Sequence, residues 1–99
     1  MTQANILTSN YLCNPDVVLR EEDEDGGLLF NPDTNQLKVI NTTGLFIWKQ
    51  CENGADVSTI SIALAQTFEE APTEKVADDI KEFLDILLQF GYITIIVKS

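Results

Sequence analysis

The chain passes from strand-forming to helix-forming sequence at Asn41-Thr42-Thr43-Gly44-Leu45-Phe46-Ile47-Trp48. Short runs of β-forming residues come before this stretch, and two amphipathic helical segments come after it. Strands that precede helices in this way predict one small α+β unit. A short sheet of this kind leaves an open edge that can accept a foreign strand, so a binding function has to be considered alongside a catalytic one.

Three short segments before this stretch are predicted to be strands: residues 17–22, 28–30 and 37–40. The acidic residues 21–25 and the glycines after them predict a charged turn between the first two strands, although such a run can also dock on a basic partner. Asn31-Pro32-Asp33-Thr34 places proline at the second position of a type I turn before the third strand.

Three helices are predicted to follow the strands. One of the polar residues 41–43 caps the first helix, and Asn53-Gly54, a pair that tolerates left-handed backbone geometry, ends it. Asp56 is a good cap for the second helix. Thr73 caps the third helix, which ends at Gly91.

The third helix is apolar over more of its circumference than a single core requires. Its central stripe is Val76, Ile80, Phe83, Leu84 and Leu87, with Ile86 and Phe90 on one shoulder and Ala77 and Leu88 on the other. The apolar arc spans roughly 200°, against about 100° or somewhat more for a helix that lies on one core. The surplus shoulder packs on the N-terminal arm, the C-terminal tail or a second copy of the chain, or it forms a groove that takes an apolar peptide.

The ends of the chain are predicted to differ from its middle. Residues 1–14 have no clean period and are taken as an arm, residues 15–93 as the folded domain, and residues 94–99 as an apolar tail. The β-prone run from Tyr92 onward must be covered by something, because it would aggregate if left bare. It can pair with the sheet, pair with a neighbouring protomer, or lie in the groove until a ligand displaces it.

Composition excludes several classes of function. The chain has 99 residues, 16 acidic against 6 basic, and a net charge of −10, which repels a phosphate backbone and argues against a nucleic-acid partner. It contains no histidine, and its two cysteines form no C-x-x-C pair, so neither a metal site, nor a cofactor, nor a nucleophile with its base is expected. No apolar run approaches the roughly 20 residues of a membrane span, and a cytoplasmic, non-enzymatic protein is expected.

Several segments together are similar to the PqqD family, the small pyrroloquinoline quinone biosynthesis D proteins and related precursor-peptide recognition elements. The resemblance rests on the strand pair, INTTGLFIW at residues 40–48, the Asn53-Gly54 pair before DVSTI at 56–60, VADDIKEFL at 76–84 and LQFGYI at 88–93. It covers residues 15–93. The long apolar tail and the acidic hairpin depart from the family pattern.

The resemblance implies a winged helix-turn-helix-like domain with a three-stranded antiparallel sheet followed by three helices. It also implies that the chain binds the leader of a ribosomally synthesised precursor peptide and presents it to a modifying enzyme, often a radical SAM protein. The leader would add as a strand along the third strand, beside the third helix. The peptide-binding residues implied on this chain are Leu37, Lys38, Val39, Ile40, Lys75, Val76, Asp79, Ile80, Phe83 and Ile86.

Two other functions remain possible at this point. A winged-helix regulator of transcription needs cations on its recognition helix, but residues 56–68 contain neither lysine nor arginine. A structural homo-oligomer, in particular a homodimer, is compatible with the β-prone C-terminal run, which offers an interface.

Overall fold

A computed structural model describes residues 10–22, 26–68 and 74–96. Within these ranges four strands are followed by three helices and a fifth strand: β1 (Asn10–Cys13), β2 (Val18–Glu21), β3 (Gly27–Asn31), β4 (Gln36–Ile40), α1 (Thr42–Gln50), α2 (Val57–Phe68), α3 (Glu74–Gln89) and β5 (Ile93–Ile96). A short 3₁₀ turn, Cys51–Asn53, follows α1 directly. The predicted α+β class is confirmed.

The main sheet is antiparallel, in the order β2-β3-β4. Its register places Leu29 of β3 between Leu19 of β2 and Lys38 of β4. Leu29 is fully buried, and Leu19 packs against the same core. The inner face of this sheet therefore carries Leu19, Leu29 and Lys38, and the three strands predicted from sequence are found within one residue of their predicted ends.

A second sheet, made of β1 and β5, was not expected. Tyr11 lies opposite Ile95 in this antiparallel pair and is fully buried, and its backbone also exchanges two hydrogen bonds with Ala55, at 2.8 and 3.1 Å. The predicted arm, residues 1–14, and tail, residues 94–99, thus each contribute a strand, and the β-prone C-terminal run pairs with β1. The assignment of residues 15–93 as the domain stays a prediction, and residues 1–9 and 97–99 lie outside the described ranges.

The helix boundaries are set by side-chain caps and by a glycine in the left-handed conformation. The Asn41 side chain accepts a hydrogen bond from the backbone N–H of Gly44 at 2.8 Å, and the Asp56 side chain accepts one from Thr59 at 2.7 Å, so both predicted caps are confirmed. Gly91 has a φ of +79° at the end of α3, a left-handed conformation that favours glycine. The predicted cap of the third helix, Thr73, lies outside the described residues.

The helix α3 lies on the core with one stripe and leaves one shoulder partly bare. Ile80, Leu84 and Leu87 are buried, and the shoulder of Ala77 and Leu88 packs against the core. On the opposite shoulder Ile86 is 37% and Phe90 41% exposed. The surplus apolar surface predicted from the helical wheel is therefore located on the Ile86 and Phe90 side.

The two cysteines are free thiols that lie in or against the core. Burial raises the pKa of Cys51 to about 12. Burial, followed by the nearby Cys51 and Glu52, raises the pKa of Cys13 to about 12, and its Sγ donates to the Trp48 carbonyl at 3.3 Å. Both groups remain protonated thiols near neutral pH, which removes the thiolate that nucleophilic chemistry requires.

We expect neither thiol of the folded protein to react with Ellman's reagent near neutral pH at a rate comparable to a free thiol, because the thiolate is the reactive form. Both should react once urea unfolds the chain. The pKa of each thiol is about 12 in the folded protein and about 9 in the unfolded chain. The contribution of each protonated thiol to the free energy of unfolding is therefore fully present below about pH 9, and it is lost as the pH rises from about 9 to about 12. Rapid labelling of the native protein would contradict this account.

The role of β1 in the core can be tested at Tyr11. Tyr11→Ala should lower the free energy of unfolding by about 3 to 5 kcal/mol, because it removes a fully buried aromatic side chain. Tyr11→Phe is the matched control: the Tyr11 hydroxyl is buried without a hydrogen-bond partner, so its loss should be neutral or stabilising. Urea denaturation measures both, and an alanine variant within about 1 kcal/mol of the parent would argue that β1 is dispensable.

Candidate functional site

The strand β4 is an edge of the main sheet, and in the described part of the chain no strand lies on its outer side. Leu37 is 68% exposed and Val39 is 75% exposed. Charges, bulges or proline residues commonly protect edge strands against pairing with strands of other chains. On β4, the one charged residue is Lys38, which lies on the inner face of the sheet.

The hydrogen bonds of β3 decide which backbone groups of β4 are free. Glu22 donates its backbone N–H to the carbonyl of Gly26 at 2.8 Å, in the same register as β2 and β3. Hydrogen-bonded pairs alternate with non-bonded pairs along an antiparallel ladder. The backbone groups of Leu28 and Phe30 therefore point toward β2.

Leu29, the β3 residue between Leu28 and Phe30, directs its backbone groups away from β2. Leu29 directs its backbone groups toward β4 and lies opposite Lys38, so Lys38 is bonded to β3. Its neighbours Leu37 and Val39 consequently direct their N–H and C=O groups away from β3, toward the open side of the sheet. These are the groups that an added strand would need.

A first cleft lies beside the C-terminal end of β4. It has a volume of about 350 Å³. The lining residues come from the cap and first turns of α1, from α2 and from α3 as far as its middle: Asn41, Thr43, Gly44, Ile47, Leu64, Val76, Asp79, Ile80 and Phe83. The cleft is largely apolar, with Asp79 as its charged member.

A second cleft lies at the other end of β4. It has a volume of about 250 Å³ and is lined by Gln36, Leu37, Lys38, Phe90 and Tyr92. Burial raises the pKa of Tyr92, so this side chain stays a neutral phenol. Phe83 lines the first cleft and Phe90 the second, and the two clefts beside α3 are together called the groove.

Side-chain amides fix the end of α3 that borders the second cleft. Asn31, at the end of β3, is buried and donates from Nδ2 to the carbonyl of Phe90 at 3.1 Å, while its Oδ1 accepts from the N–H of Asp33 at 3.0 Å. Asn14 donates from Nδ2 to the carbonyl of Gly91 at 2.9 Å. These bonds satisfy carbonyls at the helix end and hold the β3–β4 turn against it.

Gly44 shapes the first cleft. A Cβ atom at this position would lie 3.1 Å from Cζ of Phe83 and 3.2 Å from Cβ of Ile40, both closer than ordinary van der Waals contact. The absence of a side chain therefore lets the Phe83 ring approach the start of α1 and the end of β4.

The groove carries opposite charges in its two clefts. Asp79 belongs to the first cleft and forms an exposed i,i+4 pair with Lys75 at 3.5 Å. Lys38 belongs to the second cleft, and among the described cations it has no carboxylate within ion-pair distance. The other four described cations are each paired with a carboxylate.

The residues implied by the family resemblance differ in which cleft they line. Val76, Asp79, Ile80 and Phe83 line the first cleft, and Leu37 and Lys38 line the second. Val39 lies on the exposed outer face, and Ile40 is buried at the end of β4. Lys75 and Ile86 line neither cleft but lie on the same side of α3 as Asp79. Their role in binding stays a prediction.

Several lining residues were not among those predicted. Those of the first cleft are Asn41, Thr43, Gly44, Ile47 and Leu64, and those of the second are Gln36, Phe90 and Tyr92. For Phe90 a signal exists in the sequence, since it falls on the same apolar shoulder of α3 as Ile86. Asn41 and Thr43 gave no such signal because their polar side chains also fit a helix cap.

The described residues contain no group of three or more His, Cys, Asp or Glu side chains that is placed to hold a metal ion. Across the same residues, no helix is long and apolar enough to cross a membrane. The distinctive chemistry of the site is thus an unpaired strand edge beside an apolar groove.

Two solved structures share this fold. TbiB1 in complex with the TbiA(beta) leader peptide is 21% identical, with a TM-score of 0.72 over 83% of this chain and 93% of that chain. The PqqD truncation of Methylobacterium extorquens PqqCD, a stand-alone RiPP recognition element studied by solution NMR, is also 21% identical, with a TM-score of 0.70 over 86% of this chain and 88% of that chain. No curated protein sequence matches the chain.

A family model identifies the chain more directly than these structures do. The model described as coenzyme PQQ synthesis protein D matches residues 26–93, from the start of β3 through α3 to the first residue of β5. The match includes β4, α3 and every residue that lines the two clefts. The chain belongs to the PqqD family.

Proposed function

We propose that this chain is a non-catalytic recognition element that binds the leader of a ribosomally synthesised precursor peptide by strand addition and presents it to a modifying enzyme. The leader lies along β4 and inserts side chains into the groove beside α3. The observation that carries the proposal is the pair of free backbone sites at Leu37 and Val39, on a strand that borders an apolar groove.

The two parts of the site have separate tasks. Backbone hydrogen bonds to Leu37 and Val39 hold an extended guest in register without regard to its sequence. Side-chain pockets at the two clefts select the guest, because Phe83 and Phe90 each offer apolar surface to its side chains. The family match and the likeness to a leader-peptide complex support a leader as this guest.

The expected affinity is modest. Two or three apolar anchors contribute about 1.5 to 3 kcal/mol each on burial. Association costs at least about 4 kcal/mol in lost freedom of motion. A carrier that releases its peptide to an enzyme requires such an affinity, since very tight binding would slow the transfer.

Other parts of the proposal rest on the sequence and the family resemblance. The modifying enzyme is proposed to be a separate protein, such as a radical SAM enzyme, and the setting is proposed to be cytoplasmic. A homodimer is not needed for the site, because β4 and α3 of one chain supply both the strand edge and the groove.

Val39→Pro tests strand addition. Because the Val39 N–H points away from β3, proline removes a donor to the guest without breaking the β3–β4 ladder. We expect binding of a synthetic candidate leader that binds the parent protein to weaken by about tenfold or more, because a backbone hydrogen bond and its register are lost. Isothermal titration or fluorescence anisotropy measures the change.

Val39→Thr is the matched control, since it keeps the N–H and the branched shape of the side chain. It should bind the leader within about threefold of the parent, a change below 1 kcal/mol. Thermal denaturation of both variants checks that the fold is intact. Equal binding by the proline variant and the parent would refute strand addition at β4.

A further inference from the structure

The outer face of the main sheet, which points away from the helices, is apolar near the open edge. The register aligns two cross-strand rows on it, Val18–Phe30–Leu37 and Arg20–Leu28–Val39. Leu28 and Phe30 are half-buried and lie outside the core cluster, whereas Leu29 between them belongs to it. Both rows end on β4 in an exposed aliphatic side chain.

A strand added to β4 would extend both rows. Guest residues opposite Leu37 and Val39 would place their side chains on the outer face, because side chains of directly opposed residues share a face. These two positions are two residues apart on the guest. Apolar side chains there would cover Leu37 and Val39, which are otherwise 68% and 75% exposed.

The guest residue between them would face the groove and lie opposite Lys38. In an antiparallel addition this is a non-hydrogen-bonded position, where opposed side chains are closest. Lys38 is half-buried and lines the second cleft together with Phe90 and Tyr92, and it is the described cation without a carboxylate partner. An acidic side chain at this guest position would complete an ion pair.

We propose, on the basis of the proposed function, that the guest segment carries an apolar–acidic–apolar triplet opposite Leu37, Lys38 and Val39. The apolar members lie on the outer face, and the acidic member lies in the groove. The triplet is the same in both chain directions, so parallel and antiparallel guests share it. Because Asp79 lies in the other cleft, the charges also set the register by keeping the acidic residue at the Lys38 end.

A second copy of this chain is a poor occupant of the same edge. Lys38 is the central residue of Gln36–Ile40, so symmetric antiparallel pairing of two β4 strands centred there would place the two lysines opposite each other. Like charges directly opposed across a sheet are destabilising. Each copy also carries a net charge of −10, which adds repulsion between the two chains.

A display library of random twelve-residue peptides tests the triplet with three immobilised proteins: the parent, Lys38→Glu and Arg20→Glu. The parent should enrich apolar–acidic–apolar triplets by about fivefold over the input, the ratio that an ion pair of about 1 kcal/mol produces. Lys38→Glu should lose the acidic preference and favour lysine or arginine at the central position. Arg20→Glu makes the same charge change on the opposite edge strand and should select as the parent does.

The outcomes separate the triplet from the proposed function. Selection of apolar peptides with no acidic preference, or the same preference by the parent and Lys38→Glu, would overturn the triplet while leaving leader binding intact. Polar residues in place of the apolar members would also overturn it. If the parent enriches no peptide above uncoated beads, both the triplet and strand addition fail.

Discussion

The buried side-chain amide of Asn31 links the β3–β4 turn to the end of α3, and the geometry of the candidate site depends on this link. Its Nδ2 donates to the Phe90 carbonyl while its Oδ1 closes the turn through Asp33. The bond holds β4 beside α3 at one end, and the approach of Phe83 to Gly44 and Ile40 holds the other end. Between these two points the strand and the helix border the open groove.

The function that follows from this arrangement is carried by the backbone and by shape. The thiols of Cys13 and Cys51 are held protonated by burial, and the described acidic residues form no cluster suited to a metal. In the proposed function, the free groups of Leu37 and Val39 instead bind an extended chain. An exposed apolar edge carries a risk of aggregation, and Lys38 together with the large negative charge of the chain opposes self-pairing.

Much of the fold was predictable because its signals are local. The caps at Asn41 and Asp56 and the turn at Asn31 to Thr34 each depend on a few neighbouring residues, and the structure contains them where the sequence predicts them. The β1–β5 sheet was not predictable in the same way. Paired residues of this sheet are 80 or more positions apart in the sequence, as Cys13 and Ile93 are. Within β1, the one large buried side chain is that of Tyr11.

The candidate site was predictable in part for the same reason. The apolar arc of α3 located one wall of the groove, since helical periodicity is a local property. The contribution of Gly44 depends on contacts between α1, β4 and α3, which no local pattern contains. The direction of the β4 backbone groups depends on the register with β3, so the free sites at Leu37 and Val39 and the inner position of Lys38 became visible only in the structure.

Amide hydrogen exchange, followed by NMR with and without the leader, tests the central claim most directly. In the free protein the amides of Leu37 and Val39 should exchange quickly, while that of Lys38, bonded to β3, should be protected. Saturation with the leader should slow exchange at Leu37 and Val39 by about tenfold or more beyond any general stabilisation of the protein. Slow exchange at both amides before the leader is added, or no change at either on binding, would contradict the account.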